Sequence, residues 1–374
     1  MDKEIKSLTG IRGIAALWVV FLHYFESIYT NKDIYVNKLF SNGIIAVDMF
    51  FLLSAFVMCM AYSEEFKWSI SLSAYKVFIK KRLARVYPAY FFWVIMFLLI
   101  FDFSNLKFDY TKILVNLLLI QNLFTNSAIA GVFWSLSSEW IMYVIFPFLY
   151  FSLHKIKIKH INLLLILVCI IGIYLLPSMN NYFIDFHRGL HMTPPSGFVG
   201  VVKGFNSVLR CFFAYVIGIN LFLLIRNSFS IVSGFWLRFF RYAAIIGLLL
   251  TPYFGKSVET YTFLFIYSII LIAVLYLDKE KTDPIFESRT VYFLGQISYS
   301  IYLCHMFILV FVSILAKKFL SIQFDILQPY LVIGSLILLI PISYLSYIFV
   351  EIKTGLWLKS KLFAKHSSKK YGFS

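Results

Sequence analysis

Charge is what this chain has least of. Only 14% of its 374 residues are Asp, Glu, Lys or Arg, and 61% are hydrophobic, where a soluble domain carries about 25% charged residues. A water-facing surface cannot be built from that composition, so a soluble protein is excluded and a membrane protein is implied. Acidic groups are scarcest: 18 against 34 Lys and Arg, for a net charge of +16. That imbalance raises nucleic acid as a partner, but the basic residues sit in short loops between apolar runs and form no isolated arm. Orientation in a membrane explains them better, and no nucleic-acid partner is expected. Cysteine is limited to Cys59, Cys169, Cys211 and Cys304, far apart and inside apolar runs. No redox or metal-ligand spacing occurs, so they read as small core residues and no metal is expected. The first apolar run lacks a small-residue cleavage site and continues into FESIYT, so it is expected to stay as the first span.

What is abundant is apolar length. Candidate spans fall near 8–29, 43–62, 88–104, 132–153, 161–177, 206–225, 239–254, 259–277, 290–316 and 329–350. The longest stretch between them, about 178–205, is too short for a separate domain. Residues 1–374 are therefore expected to form one all-α polytopic domain of about ten transmembrane helices, with a basic tail at 351–374. The stretch TKILVNLLLIQNLF, 111–124, is short for a crossing and reads as a re-entrant or interfacial helix. With the N-terminus in the cytoplasm, 23 of the 34 Lys and Arg fall on cytoplasmic segments, the bias of the positive-inside rule. Both termini are then cytoplasmic. A full crossing by 111–124 would invert every later loop and put the KIKIK segment outside.

Ionisable groups at membrane depth are costly, and those that persist face a protein interior or a watery cavity. Arg12 and His23 are eleven residues apart, hence on nearly the same helix face and roughly 16 Å apart along the axis. Snorkelling of Arg12 and a structural hydrogen bond at His23 are the bland alternatives. By rise per residue, His23, Asp48 and Glu139 lie at similar depth and His305 slightly deeper. One such residue is usually structural; four at matched depth signal a site. Ser135, Glu139 and Tyr143 share a helix face, as do Ser298, Tyr302 and His305. Small-residue packing between helices is the alternative there. Between spans 2 and 3, YKVFIKKRLARVYPAY puts Lys80, Lys81, Arg82 and Arg85 at the inner surface, with Tyr87 and Pro88 opening the next helix. Arg82 and Arg85, at i and i+3, suit a phosphate, although a basic inner loop also serves orientation and lipid binding. In the outer segment about 178–205, aromatics with His187, Arg188 and His191 suggest an acceptor lid as readily as plain loop cover.

Six stretches in order resemble acyltransferase family 3, the bacterial integral-membrane acyltransferases that modify cell-surface sugars and some small metabolites. LTGIRGIAALWVVFLHY is similar to the family's Arg-x10-His opening through Arg12 and His23, and GIIAVDMFFLLSAF to its second-helix motif through Asp48 and Ser54. FIKKRLARVYPAY resembles its basic loop, WSLSSEWIMYVIFP its Trp-Ser-Leu segment with Glu139, LRCFFAYVIGINLF a later Arg…Gly helix through Arg210 and Gly218, and LGQISYSIYLCH its final motif through Tyr302 and His305. Ala55 stands where glycine is usual, and Glu351 lacks the proline often found nearby, so no role beyond ending the last span is given to it. The resemblance implies an O-acyltransferase of the bacterial cytoplasmic (inner) membrane, taking an acyl-CoA donor, commonly acetyl-CoA, from the cytoplasm. It implies a hydroxyl acceptor on a surface sugar such as O-antigen lipopolysaccharide, capsule or exopolysaccharide, free or lipid-linked. Arg12, Lys81, Arg82, Arg85 and Tyr87 would hold the donor. His23 would be base or transient acyl acceptor, oriented by Asp48 or Glu139, with His305 and Tyr302 contacting the oxyanion or aligning the acceptor. A transporter or flippase of lipid-linked sugars would share the spans and buried charges but predicts an internal repeat, and the Arg-x10-His stretch has no second copy.

Overall fold

Apolar helices need partners for any polar group they carry into the membrane, and this bundle is arranged around that need. The computed structural model describes residues 4–26, 35–103, 110–124, 128–188, 204–226, 233–279, 281–319 and 324–367. Its helices are α1 (Lys6–Glu26), α2 (Tyr35–Ser41), α3 (Ile45–Phe66), α4 (Leu72–Phe103), α5 (Tyr110–Leu117), α6 (Gln121–Phe124), α7 (Trp134–His154), α8 (Lys159–Arg188), α9 (Phe205–Ile225), α10 (Gly234–Leu250), α11 (Val258–Leu277), α12 (Arg289–Gln296), α13 (Ser298–Phe319), α14 (Phe324–Leu345) and α15 (Gly355–Ser367). A π-helical stretch, Ser346–Thr354, joins the last two. Among the described residues, ten helical segments are long and apolar enough to cross a membrane, as the sequence predicts. The apolar window of α3 is 72% buried while those of α8 and α10 are 22% buried. Thus α3 stands at the centre and α8 and α10 face outward.

Residues 110–124 do not cross. α5 and α6 are too short, and the chain turns between them at Leu119, whose φ of 58° is a left-handed conformation that an aliphatic residue adopts only when its surroundings enforce it. The turn is fastened by polar side chains: Tyr90 donates to the Asn116 carbonyl at 2.8 Å, and the Asn122 amide donates to Ser138 and Ser207, each at 2.8 Å.

Four expected boundaries move. α4 begins at Leu72 and runs unbroken through Pro88, so the basic segment lies on a helix rather than in a loop. Proline removes one donor and leaves the Ala84 carbonyl open. Gly355 packs there, where a Cβ would come within 3.0 Å of that oxygen, and Lys80 donates to the Leu362 carbonyl on α15 at 3.1 Å. The span expected over 290–316 breaks at Ile297 into α12 and α13, because α12 packs along α1. That approach needs Gly10 and Gly295, since a Cβ on either would overlap the carbonyl oxygen of Phe286 or Thr9. The last span continues as helix to Ser367 in place of a tail from 351. Similarly, α8 continues to Arg188, past the expected loop start at 178, and residues 189–203, His191 among them, lie outside the described residues.

At the α3–α9 crossing, Ala55 faces Gly218, whose absent side chain lets the helices approach: a Cβ there would lie 2.6 Å from the Leu52 carbonyl. The departure at Ala55 is thereby absorbed by the partner helix.

Candidate active site

A cavity of about 140 Å³ opens between α1, α3, α4, α7 and α13. Sites that enclose a drug-sized ligand usually run to about 300–1,000 Å³, so this one is small. Three guanidinium groups line it: Arg12 from α1, and Arg82 and Arg85 from α4. They face Glu139 and Tyr143 of α7, Ser135 one helical turn away, and Tyr299 and Tyr302 of α13. The two polar faces read from the sequence meet here, for Ser135 and Tyr302 share a hydroxyl–hydroxyl hydrogen bond of 2.6 Å. Tyr302 also donates to the Val132 carbonyl at 2.7 Å, and Tyr143 donates to Glu139 Oε1 at 2.7 Å.

The arginines are held differently. Arg82 donates to the Tyr62 hydroxyl at 3.0 Å and lies over the Tyr62 ring, while its buried Nε has no partner among the described residues. Arg85 reaches Glu351 at 3.3 Å. Arg12 makes no hydrogen bond or ion pair with a described residue, and its charge is open to the cavity. Three cations with one lining carboxylate give a cavity suited to an anion. Lys81 and Tyr87, which the sequence grouped with them, do not line it. Lys81 lies over the Tyr62 ring and Tyr87 stacks on Phe91.

Beyond Tyr302, on the next turn of α13, His305 is fully buried and meets His23 of α1 at 3.4 Å, Nε2 to Nδ1. Neither imidazole lines the cavity, whose wall on this side is the Ser135–Tyr302 pair. The tautomers follow from the partners. His305 Nδ1 lies 2.7 Å from the Tyr302 carbonyl and His23 Nδ1 lies 2.9 Å from the Val19 carbonyl. A carbonyl only accepts, so both Nδ1 atoms carry the proton. His23 Nε2 is then the nitrogen with the lone pair, the form a general base requires. Tyr24 fixes the neighbouring backbone by donating to the His305 carbonyl at 2.8 Å.

Asp48 is elsewhere, which corrects its expected pairing with His23. It is fully buried in the first turn of α3, and Arg210 of α9 donates to both its oxygens, Nε at 2.6 Å and Nη2 at 2.5 Å. Tyr261 of α11 donates to Oδ2 as well. Both carboxylate oxygens are thus engaged in a brace that ties three spans together. The sequence missed this pairing, although two opposite charges in two apolar spans were a legible signal. It also missed Glu351. Only 4% exposed, that carboxylate sits in the π-helical stretch, paired to Arg85 and accepting from Ser300 at 3.2 Å. An acidic residue at the end of an apolar run gives no sign of facing inward.

The profile described as an acyltransferase domain, that of acyltransferase family 3, matches residues 5–348. Among curated proteins, the chain is 30% identical over 170 residues to acyltransferase MdmB of Streptomyces mycarofaciens, covering 42% of each chain. It is 24% identical over 305 residues to the putative acetyltransferase ORF330 of Acidianus two-tailed virus, covering 80% of this chain and 82% of that one. An 83-residue stretch is 35% identical to protein 2 in the picA locus of Rhizobium radiobacter, covering 22% of this chain and 38% of the other. The chain thus spans under half of the first relative's length and most of the second's. No solved structure matches.

Proposed function

The chain belongs to acyltransferase family 3, and from that premise we propose that it is a membrane-embedded O-acyltransferase, moving an acetyl or other short acyl group from acyl-CoA to a hydroxyl of a cell-surface sugar. The observation that carries this reading is α1, a continuous helix that presents Arg12 to an arginine-lined cavity and the partly buried His23 to the buried imidazole of His305. Anionic phosphates of coenzyme A suit Arg12, Arg82 and Arg85 at the mouth, and the narrow cavity suits the pantetheine arm. A cytoplasmic face for this mouth agrees with the basic bias of the loops.

His23 Nε2 takes the proton of the acceptor hydroxyl as its oxygen attacks the thioester carbonyl. The new C–O bond forms as the C–S bond breaks, and the proton passes to the departing thiolate. His305, with the Val19 carbonyl, holds the His23 ring in the required orientation, the part that carboxylates play in hydrolase triads. The Tyr302 and Ser135 hydroxyls, which stand between the imidazoles and the cavity, are the nearest donors for the developing oxyanion, and the reacting group has to part them to reach His23. Glu139, held by Tyr143, faces the acceptor side of the same space.

The test is transfer of label from [14C]acetyl-CoA to a hydroxylated glycan extract by protein purified in detergent. Wild type is expected to label the extract, and His23→Ala, still inserted and monodisperse, is expected to lose at least about 100-fold in rate. Labelling by His23→Ala at the wild-type rate overturns the mechanism, and no labelling by wild type overturns the function.

A further inference from the structure

Glu351 is a buried carboxylate that the mechanism does not use. Its side chain is 1% exposed and sits 3.3 Å from Arg85, whose own side chain is 51% exposed and lines the cavity. Removing a carboxylate from water is costly unless a charge and hydrogen bonds compensate. Here compensation is incomplete: Ser300 donates to Oε2, while Oε1 has the ion pair but no hydrogen bond of acceptable geometry among the described residues. Local structure holds the group there regardless. π-helical turns insert an extra residue and redirect side chains, and they concentrate at functional sites. This one, Ser346–Thr354, is fastened to α4 at both ends. Trp93 donates to Ser346 at 3.0 Å, and Gly355 packs on the Ala84 carbonyl beside Arg85. Three elements therefore fix the pair: α4 for Arg85, α13 for Ser300 and the π turn for Glu351.

We propose that Glu351 is a positioning residue for the donor site, anchoring one edge of the Arg85 guanidinium so that its remaining N–H groups stay directed at a phosphate of the acyl donor. This rests on the donor reading above. Arg85 makes no other hydrogen bond or ion pair with a described residue, so the free edge of its fork is available to an anion. A guanidinium fixed in this way loses less freedom on binding than a loose one, and the gain appears as affinity for the donor and not as a faster chemical step.

Glu351→Gln tests this because glutamine keeps the volume and a partner for Ser300 while removing the charge. The expected result with acetyl-CoA is a KM raised about tenfold with kcat within about twofold, as for lost binding common to ground and transition states. In an Arg85→Ala background the same change is expected to leave KM unaltered, because the two act as a unit. Ser300→Ala, milder on folding, is expected to raise KM about two- to threefold, again only when Arg85 is present. An unchanged KM in Glu351→Gln and Ser300→Ala, or KM effects that add to that of Arg85→Ala, overturns the proposal while leaving wild-type acetyl transfer intact. If wild type itself transfers nothing from acetyl-CoA, the donor reading fails first, and that result is distinct.

Discussion

Asp48→Asn separates a brace from a reacting group. In the folded protein Asp48 is 0% and Arg210 1% exposed, and Tyr261 joins them. Neutralising the carboxylate without changing its shape leaves the guanidinium buried with no counter-charge, a change worth about 3–5 kcal/mol where single partners of buried pairs have been removed. For a chain of this size that corresponds to a melting point lower by about 4–6 °C. The assay is thermal unfolding in detergent, followed by tryptophan fluorescence, with acetyl transfer measured well below the transition. Replacing both partners by apolar residues, Asp48→Leu with Arg210→Met, should recover most of the loss, since a buried pair is worth little over well-packed apolar side chains. Activity in either variant should fall only as far as the folded fraction does. An Asp48→Asn protein that melts like wild type but transfers no acetyl group would refute the assignment and return Asp48 to the reaction.

Arg82→Ala should raise the KM for acetyl-CoA by at least about tenfold, measured by initial rates, because it removes both a cavity charge and the contact to Tyr62; an unchanged KM would leave the basic face of α4 to membrane lipid. Gly10→Ala should reduce the yield of monodisperse protein, seen by size exclusion, because a Cβ there overlaps the Phe286 carbonyl; normal yield and melting would mean that α12 can shift without cost. His305→Gln should lower kcat by about 10–100-fold with little change in KM, because the amide does not reproduce the imidazole that, beside the Val19 carbonyl, holds the His23 ring in place; wild-type kcat would detach His305 from the reaction.

The spans were legible because lipid imposes a length and a composition on each one, and both can be read without knowing any contact. Helix ends were less so. Proline at 88 usually marks a helix start, but here α15 and its glycine cover the exposed carbonyl, a contact from more than 260 residues away that no local pattern contains. The arginines and the two histidines could be grouped by depth, since depth follows from position along a span. Which way each faces depends on helix rotation and neighbours, so depth alone offers Asp48 or Glu139 to His23, whereas the partner of Asp48 stands on α9. Glu351 escaped for a related reason: a π-helical turn shifts the facing of every residue after it, and a sequence reading that assumes 3.6 residues per turn cannot register the shift.

Because α1 runs without a break from Lys6 to Glu26, the step from Arg12 to His23 is a rigid ruler of about 16 Å. Under the proposed reaction, selectivity then falls on the carrier: a thioester whose sulfur lies at another distance from its phosphates is out of register, whatever acyl group it brings. Lengthening the helix by one residue between the two marks would swing the imidazole about 100° around the axis, so this segment should be the least tolerant of insertions in the whole chain.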